Sequence, residues 1–127
     1  KKDRALIVVD DSAVIKNFVS KIFNNQFEVL VANDGNEALQ MISNNNGIKI
    51  VGMLLDLNMP NFNGFQVLEY FKNNNLFDMI PVSIITGVGD DELVAKAFNY
   101  PIVDVLRKPF NERDIKEVVE KTVQYAH

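Results

Sequence analysis

The feature that most restricts how this chain can fold is the repeated change of its hydrophobic period. Short apolar runs at Leu6–Val9, Glu28–Ala32, Val51–Leu55, Val82–Ile85 and Val103–Leu106 read as strands, and four of the five are almost continuously apolar. A strand of that kind is covered on both faces, which is the condition of a parallel sheet. Between the runs the period becomes helical. Val14, Ile15, Phe18, Val19, Ile22 and Phe23 recur on one face, as do Ala38 with Ile42, and Phe65 with Leu68 and Phe71. A shorter helix is expected over Asp91–Phe98, and a last one over Asn111–Tyr125 with Ile115, Val118, Val119, Thr122 and Val123 inward. Five βα units in succession require right-handed crossovers and helices on both sheet faces, a three-layer α/β sandwich.

Local punctuation agrees. Helix starts are marked by Asp11-Ser12, Asp34-Gly35, Asn63-Gly64, Asp90 and Asn111, residue types whose side chains accept from exposed first-turn amides. The tracts Asn44–Asn46 and Asn73–Asn75 fall where the second and third helices should end, and Asn is the usual substitute for Gly in a left-handed turn. They read as solvated loops rather than as binding elements.

With 127 residues, 47% of them hydrophobic, the chain is expected to form a single domain over 1–127 with one buried core and no disordered arm. Zero cysteines remove disulfides, thiolate metal sites and cysteine nucleophiles, and suit a cytoplasmic location. The longest wholly apolar run, Ala5–Val9, is far short of the roughly 20 residues that span a bilayer, so no membrane association is expected. A net charge of -4 without any basic cluster argues against direct nucleic-acid binding.

In an open α/β sheet, ligands bind beyond the carboxyl ends of the strands. There the first strand ends in Asp10-Asp11, the third in Asp56, the fourth in Thr86-Gly87 and the fifth in Arg107-Lys108. Three carboxylates, a hydroxyl and an ammonium therefore meet at one edge. Carboxylates this close repel one another unless a cation intervenes, and a donor set of oxygens without His or Cys selects a hard divalent ion such as Mg²⁺. Ligands borne on separate strand ends leave coordination positions for water and for a phosphoryl group. Each residue also has a plain reading: Asp10 and Asp11 as helix caps, Asp56 as a turn cap before Met59-Pro60, Thr86 as a strand end. Asp34, Asp90, Asp91, Asp104 and Asp114 read as caps or solvated charges, and His127 stands alone.

Taken together and in order, "VVDDS", "LLDLNMP", "IITG" and "LRKPF" resemble the receiver domain of two-component response regulators over essentially the whole chain. The resemblance implies a flavodoxin-like fold with strand order 2-1-3-4-5 and five helices. It implies that Asp56 accepts a phosphoryl group from a phosphohistidine of a histidine kinase or phosphotransfer protein. Asp10, Asp11, Asp56 and the main-chain carbonyl of Asn58 would hold Mg²⁺, Lys108 would pair with a phosphoryl oxygen, and Thr86 would hydrogen-bond another. The Gly87 N–H would add a donor, and Lys108-Pro109 would be a cis bond. Such a domain catalyses its own aspartyl phosphorylation and dephosphorylation and is not a metabolic enzyme. It passes on the signal through the face of helix 4, strand 5 and helix 5, where a second receiver can dock.

Two departures from the family pattern stand out. Val105 occupies the position, three residues before the site lysine, that usually carries a Tyr or Phe whose ring reports phosphorylation, and Pro101 stands where Gly is common. Tyr100 is badly placed to substitute for that ring. The alternatives are a pseudo-receiver, a small Mg²⁺-dependent phosphatase-like domain, and a flavin-phosphate binder. "DDSAV" lacks the D-x-D pattern of aspartyl phosphatases, and its acids would repel an anionic cofactor.

Overall fold

The computed structural model describes residues 3–59 and 63–126; the readings that involve Pro60 and His127 lie outside them. The order is β1 (Arg4–Val9), α1 (Ala13–Phe23), β2 (Glu28–Ala32), α2 (Gly35–Ser43), β3 (Lys49–Asp56), α3 (Gly64–Asn73), β4 (Val82–Thr86), α4 (Asp91–Ala97), β5 (Val105–Arg107) and α5 (Glu112–Val123). The five strands form one sheet in the order β2-β1-β3-β4-β5, and every neighbouring pair is parallel. This is the flavodoxin-like architecture expected from the sequence.

Strand alternation explains the three layers. Leu6, Val8, Leu54, Ile85 and Leu106 point to one face and are buried with Val19 and Phe23 of α1 and Ile115, Val118 and Val119 of α5. Ala5, Ile7, Val9, Met53, Leu55 and Ile84 point to the other, against Ala38 of α2, Val67, Leu68 and Phe71 of α3 and Ala97 of α4. Burying each large aliphatic side chain contributes roughly 1.5–3 kcal/mol, so a one-residue slip of a strand would exchange the contents of both cores. The register that places the strand ends is fixed in this way.

Helix ends follow the punctuation, with one exception. Ser12, Asp34, Asn63 and Asn111 each accept a hydrogen bond from a first-turn amide, and Asn63 and Asn111 form reciprocal capping boxes with Gln66 and Asp114. Asp90 precedes α4 but makes no capping bond with its side chain. β5 is shorter than the sequence suggests. The Val103 N–H already donates to the Val82 carbonyl, yet the regular ladder begins only at Val105. A short 3₁₀ turn at Leu76–Asp78, too brief to leave a periodic signal, was not anticipated. Among the described residues, no helix is long and apolar enough to cross a membrane.

The Asn tracts behave as read: Asn46 and Asn75 adopt left-handed backbone, both with φ of 56°. Asn75→Ala is expected to cost about 1 kcal/mol through the Cβ clash of that conformation, whereas Asn75→Gly is expected to be neutral or slightly stabilising. Urea unfolding of the two variants beside the parent chain checks this ordering.

Candidate functional site

The site lies at the carboxyl edge of the sheet. β1 and β3 are adjacent, with Val9 opposite Leu55, so the chain leaves them side by side into Asp10-Asp11 and Asp56. Carboxylate oxygens of Asp10, Asp11 and Asp56 all lie within 4.8 Å of one another, Asp10 and Asp56 buried and Asp11 exposed. From β5, Lys108 brings its Nζ to 3.2 Å from Asp10 Oδ2 and 3.6 Å from Asp56 Oδ2. The Lys108-Pro109 peptide is cis. The structure thus brings together all the acids and the lysine singled out in the sequence.

Each carboxylate is held by backbone. Asp10 Oδ1 accepts from the Ser12 N–H at 2.9 Å, and Asp56 Oδ1 from the Asn58 N–H at 3.1 Å. The remaining oxygen of Asp10 is buried and accepts no hydrogen bond, since its contact with Lys108 meets the distance but not the angles of one. Three acids are gathered and one ammonium pairs with two of them, which leaves negative charge uncompensated. A hard divalent cation fits that deficit and that orphaned lone pair, with Asp11 open to solvent as the point of entry.

Burial is the main cause of an upward shift of the Asp56 carboxyl, from 3.8 to about 6. The Asn58 N–H and Lys108 oppose the shift, while Asp10 and Asp11 add to it. Burial alone would depress the Lys108 ammonium, but the attraction of Asp10 and Asp56 prevails and raises it. Asp56 is therefore a poorly solvated carboxyl group facing a positive charge.

Two residues matter more here than their sequence reading suggested. Gly64, read only as a helix start, is where α3 presses on the end of β3: a Cβ there would stand 2.6 Å from the Asp56 carbonyl oxygen and 2.7 Å from Leu57 Cα. Only glycine allows that approach, so it sets how the Asp56 backbone is braced. Asp90, read as a cap, turns back instead. Its Oδ2 accepts from the Gly87 N–H at 2.8 Å and from the Thr86 hydroxyl at 3.2 Å. The signal was present as spacing, because the same three-residue reach-back joins the Asn63 N–H to Gln66 and the Asn111 N–H to Asp114. Thr86 itself is fully buried at the end of β4, one residue beyond Ile85, which lies opposite Asp56 in the sheet. Asp34, Asp91, Asp104 and Asp114 are caps or surface ion-pair partners, as read.

Comparison with known proteins agrees with this geometry. The response regulator receiver domain family matches residues 6–120. Chemotaxis protein CheY1 of Helicobacter pylori is 33% identical over 119 residues, which cover 91% of this chain and 93% of that protein. The transcriptional regulatory protein CpxR homolog of Haemophilus influenzae is 33% identical over 111 residues, 87% of this chain but 46% of that longer protein. Among solved structures, the receiver domain of NtrX from Brucella abortus superposes with a TM-score of 0.80 at 26% identity, covering 94% of this chain and 98% of that one.

The raised Asp56 carboxyl carries a stability signature. Its folded value lies above its unfolded one, so the folded chain binds the extra proton, and stability falls as pH rises from about 4 to about 6. In the absence of divalent cations the loss attributable to this group is on the order of 3 kcal/mol. Asp56→Asn is expected to remove that segment of the pH dependence and to be more stable than the parent at neutral pH. Denaturant midpoints across pH 4–7 for both chains measure it.

Proposed function

The chain belongs to the response regulator receiver domain family, and from that premise we propose that Asp56 accepts a phosphoryl group from a phosphohistidine of a histidine kinase or phosphotransfer protein. The observation that carries the reading is the convergence of three carboxylates within 4.8 Å, with Lys108 Nζ 3.6 Å from Asp56 Oδ2. An Asp56 carboxylate oxygen attacks phosphorus, the P–N bond to the imidazole breaks with its electron pair passing to nitrogen, and an aspartyl phosphate remains. Lys108 follows the charge on the phosphoryl oxygens as a point cation, and Thr86 Oγ1 and the Gly87 N–H supply two further donors. Asp10, Asp11, Asp56 and the Asn58 carbonyl would hold Mg²⁺, which when bound neutralises charge on the transferring group. Hydrolysis of the acyl phosphate resets the site, a self-limited reaction rather than metabolic turnover.

These roles fall within one receiver unit formed by the chain, with a place in the cytoplasm beside its kinase. Output would leave through α4, β5 and α5, where the exposed Phe98 and the half-buried Val105 lie and a second receiver could dock. Among the described residues, the ion pair between α4 and β5 there is the exposed Arg107–Asp91 pair at 3.1 Å, an interaction worth at most about 1 kcal/mol. Tyr100 does not take over from the missing ring. Its hydroxyl donates to Glu69 Oε2 at 2.5 Å and its ring lies near Phe77, on the α3 side. Val105 fills less space than a ring when Thr86 moves, so the two conformations differ less in packing energy. Reversal of a two-state population from 1:99 to 99:1 needs about 5.5 kcal/mol of differential stabilisation.

Incubation with acetyl phosphate and Mg²⁺ is expected to add one covalent phosphoryl group, seen by mass spectrometry, and Asp56→Asn to take up none. Equal labelling of that variant would overturn the assignment of Asp56, and no labelling of the parent would favour a pseudo-receiver. Asp11→Ala is expected to weaken Mg²⁺ binding by titration calorimetry with the fold intact, whereas Lys108→Ala is expected to spare Mg²⁺ binding and damage the response to phosphorylation. Backbone amide shifts with the phosphoryl mimic beryllofluoride are expected to show a partial rearrangement over Asp90–Arg107, and a fuller one in Val105→Tyr.

A further inference from the structure

The two donors assigned to reading the phosphoryl group are already engaged. The Gly87 N–H and the Thr86 hydroxyl both donate to one oxygen of Asp90, at 2.8 and 3.2 Å. A backbone amide has one hydrogen and a hydroxyl has one, so neither can serve Asp90 and a phosphoryl oxygen fully at the same time. Residue 87 is suited to this contact: a Cβ there would stand 3.3 Å from the same Asp90 oxygen, a crowded distance that glycine avoids. Asp90 is half-exposed, and it makes no capping bond to α4. Its carboxylate can therefore turn to water or to the first amides of α4 without leaving a buried charge behind.

We propose that Asp90 is a positioning residue that occupies the phosphoryl-reading donors of Thr86 and Gly87 in the resting protein, so that phosphorylation must displace its carboxylate before the β4–α4 junction can respond. This inference rests on the reading of Asp56 as the acceptor. Displacement exchanges one anionic acceptor for another: the two donors pass to the phosphoryl oxygens, and the freed carboxylate lies at the entrance to α4. The β4–α4 loop would then move because its own anchor has been released, whatever residue stands at position 105. The latch also sets a threshold, since a phosphoryl group must compete for donors that are not waiting free.

Amide spectra of the whole chain, recorded with saturating Mg²⁺ and increasing beryllofluoride, test this with Asp90→Ala, Asp90→Asn and Asp91→Ala. Before titration, the Gly87 amide proton is expected downfield in the parent and moved upfield in Asp90→Ala, as loss of a short bond to a carboxylate requires. Asp90→Ala is expected to take up beryllofluoride about tenfold more tightly, a difference of 1.4 kcal/mol, with Asp90→Asn between it and the parent because a neutral amide oxygen still accepts. Asp91→Ala removes the same charge one residue on, together with the surface pair to Arg107 but without touching either donor, and is expected to change the affinity far less than Asp90→Ala does. An unaltered affinity in Asp90→Ala, or an equal gain in Asp91→Ala, would overturn the proposal. Failure of the acceptor reading looks different: the parent, or every variant alike, would take up no mimic, or Asp56→Asn would still take it up.

Discussion

The carboxyl edge of this sheet is governed by the crowding of three carboxylates, two of which pair with a single ammonium. Asp10 and Asp56 are buried, and each spends one oxygen on a backbone N–H two residues later, so neither can swing out to relieve the repulsion. Burying unbalanced charge opposes folding, and the chain tolerates it because the hydrophobic sandwich behind the site is large. The same unrelieved charge makes the site fit for a hard cation. Instability and reactivity here have one origin.

The sheet supplies the rigidity that this arrangement needs. β1, β3 and β4 are buried on both faces, so Asp10, Asp11, Asp56 and Thr86 all issue from inner strands of the sheet. Thr86 and Lys108 come from β4 and β5, towards the sheet edge where β5 is short and α4 has few turns. The acids thus leave the inner strands of the sheet, and the ammonium reaches them from beyond its edge strand.

Much of this was legible in the sequence, for identifiable reasons. Continuous apolar runs such as Ala5–Val9 and Val51–Leu55 could only be two-sided strands, and the acids after them had to share an edge once the sheet was parallel. Strand order was not contained in periodicity and came from the family resemblance. What escaped the reading had no periodic or compositional trace. The Asp90 carboxylate could cap forward or reach back, and a choice between equal spacings is made by tertiary contacts. The role of Gly64 depends on how near α3 comes to β3, a distance between elements that no local pattern encodes. The late start of β5 likewise reflects tertiary pairing, since its regular ladder with β4 begins at Ile84 rather than at Val82.

The left-handed turns at Asn46 and Asn75 lead into β3 and β4 from the end of the sheet opposite the acids. They join elements whose positions the two cores already determine, and no site residue comes from them. Among the described residues, that rim is silent with respect to the candidate site, which lies at the opposite one. Sequence drift, inserted segments and attached reporters can accumulate on the silent rim at little cost to the chemistry. Substitutions in the asparagine-rich turns are expected to leave the cluster of acids at the opposite edge where it is.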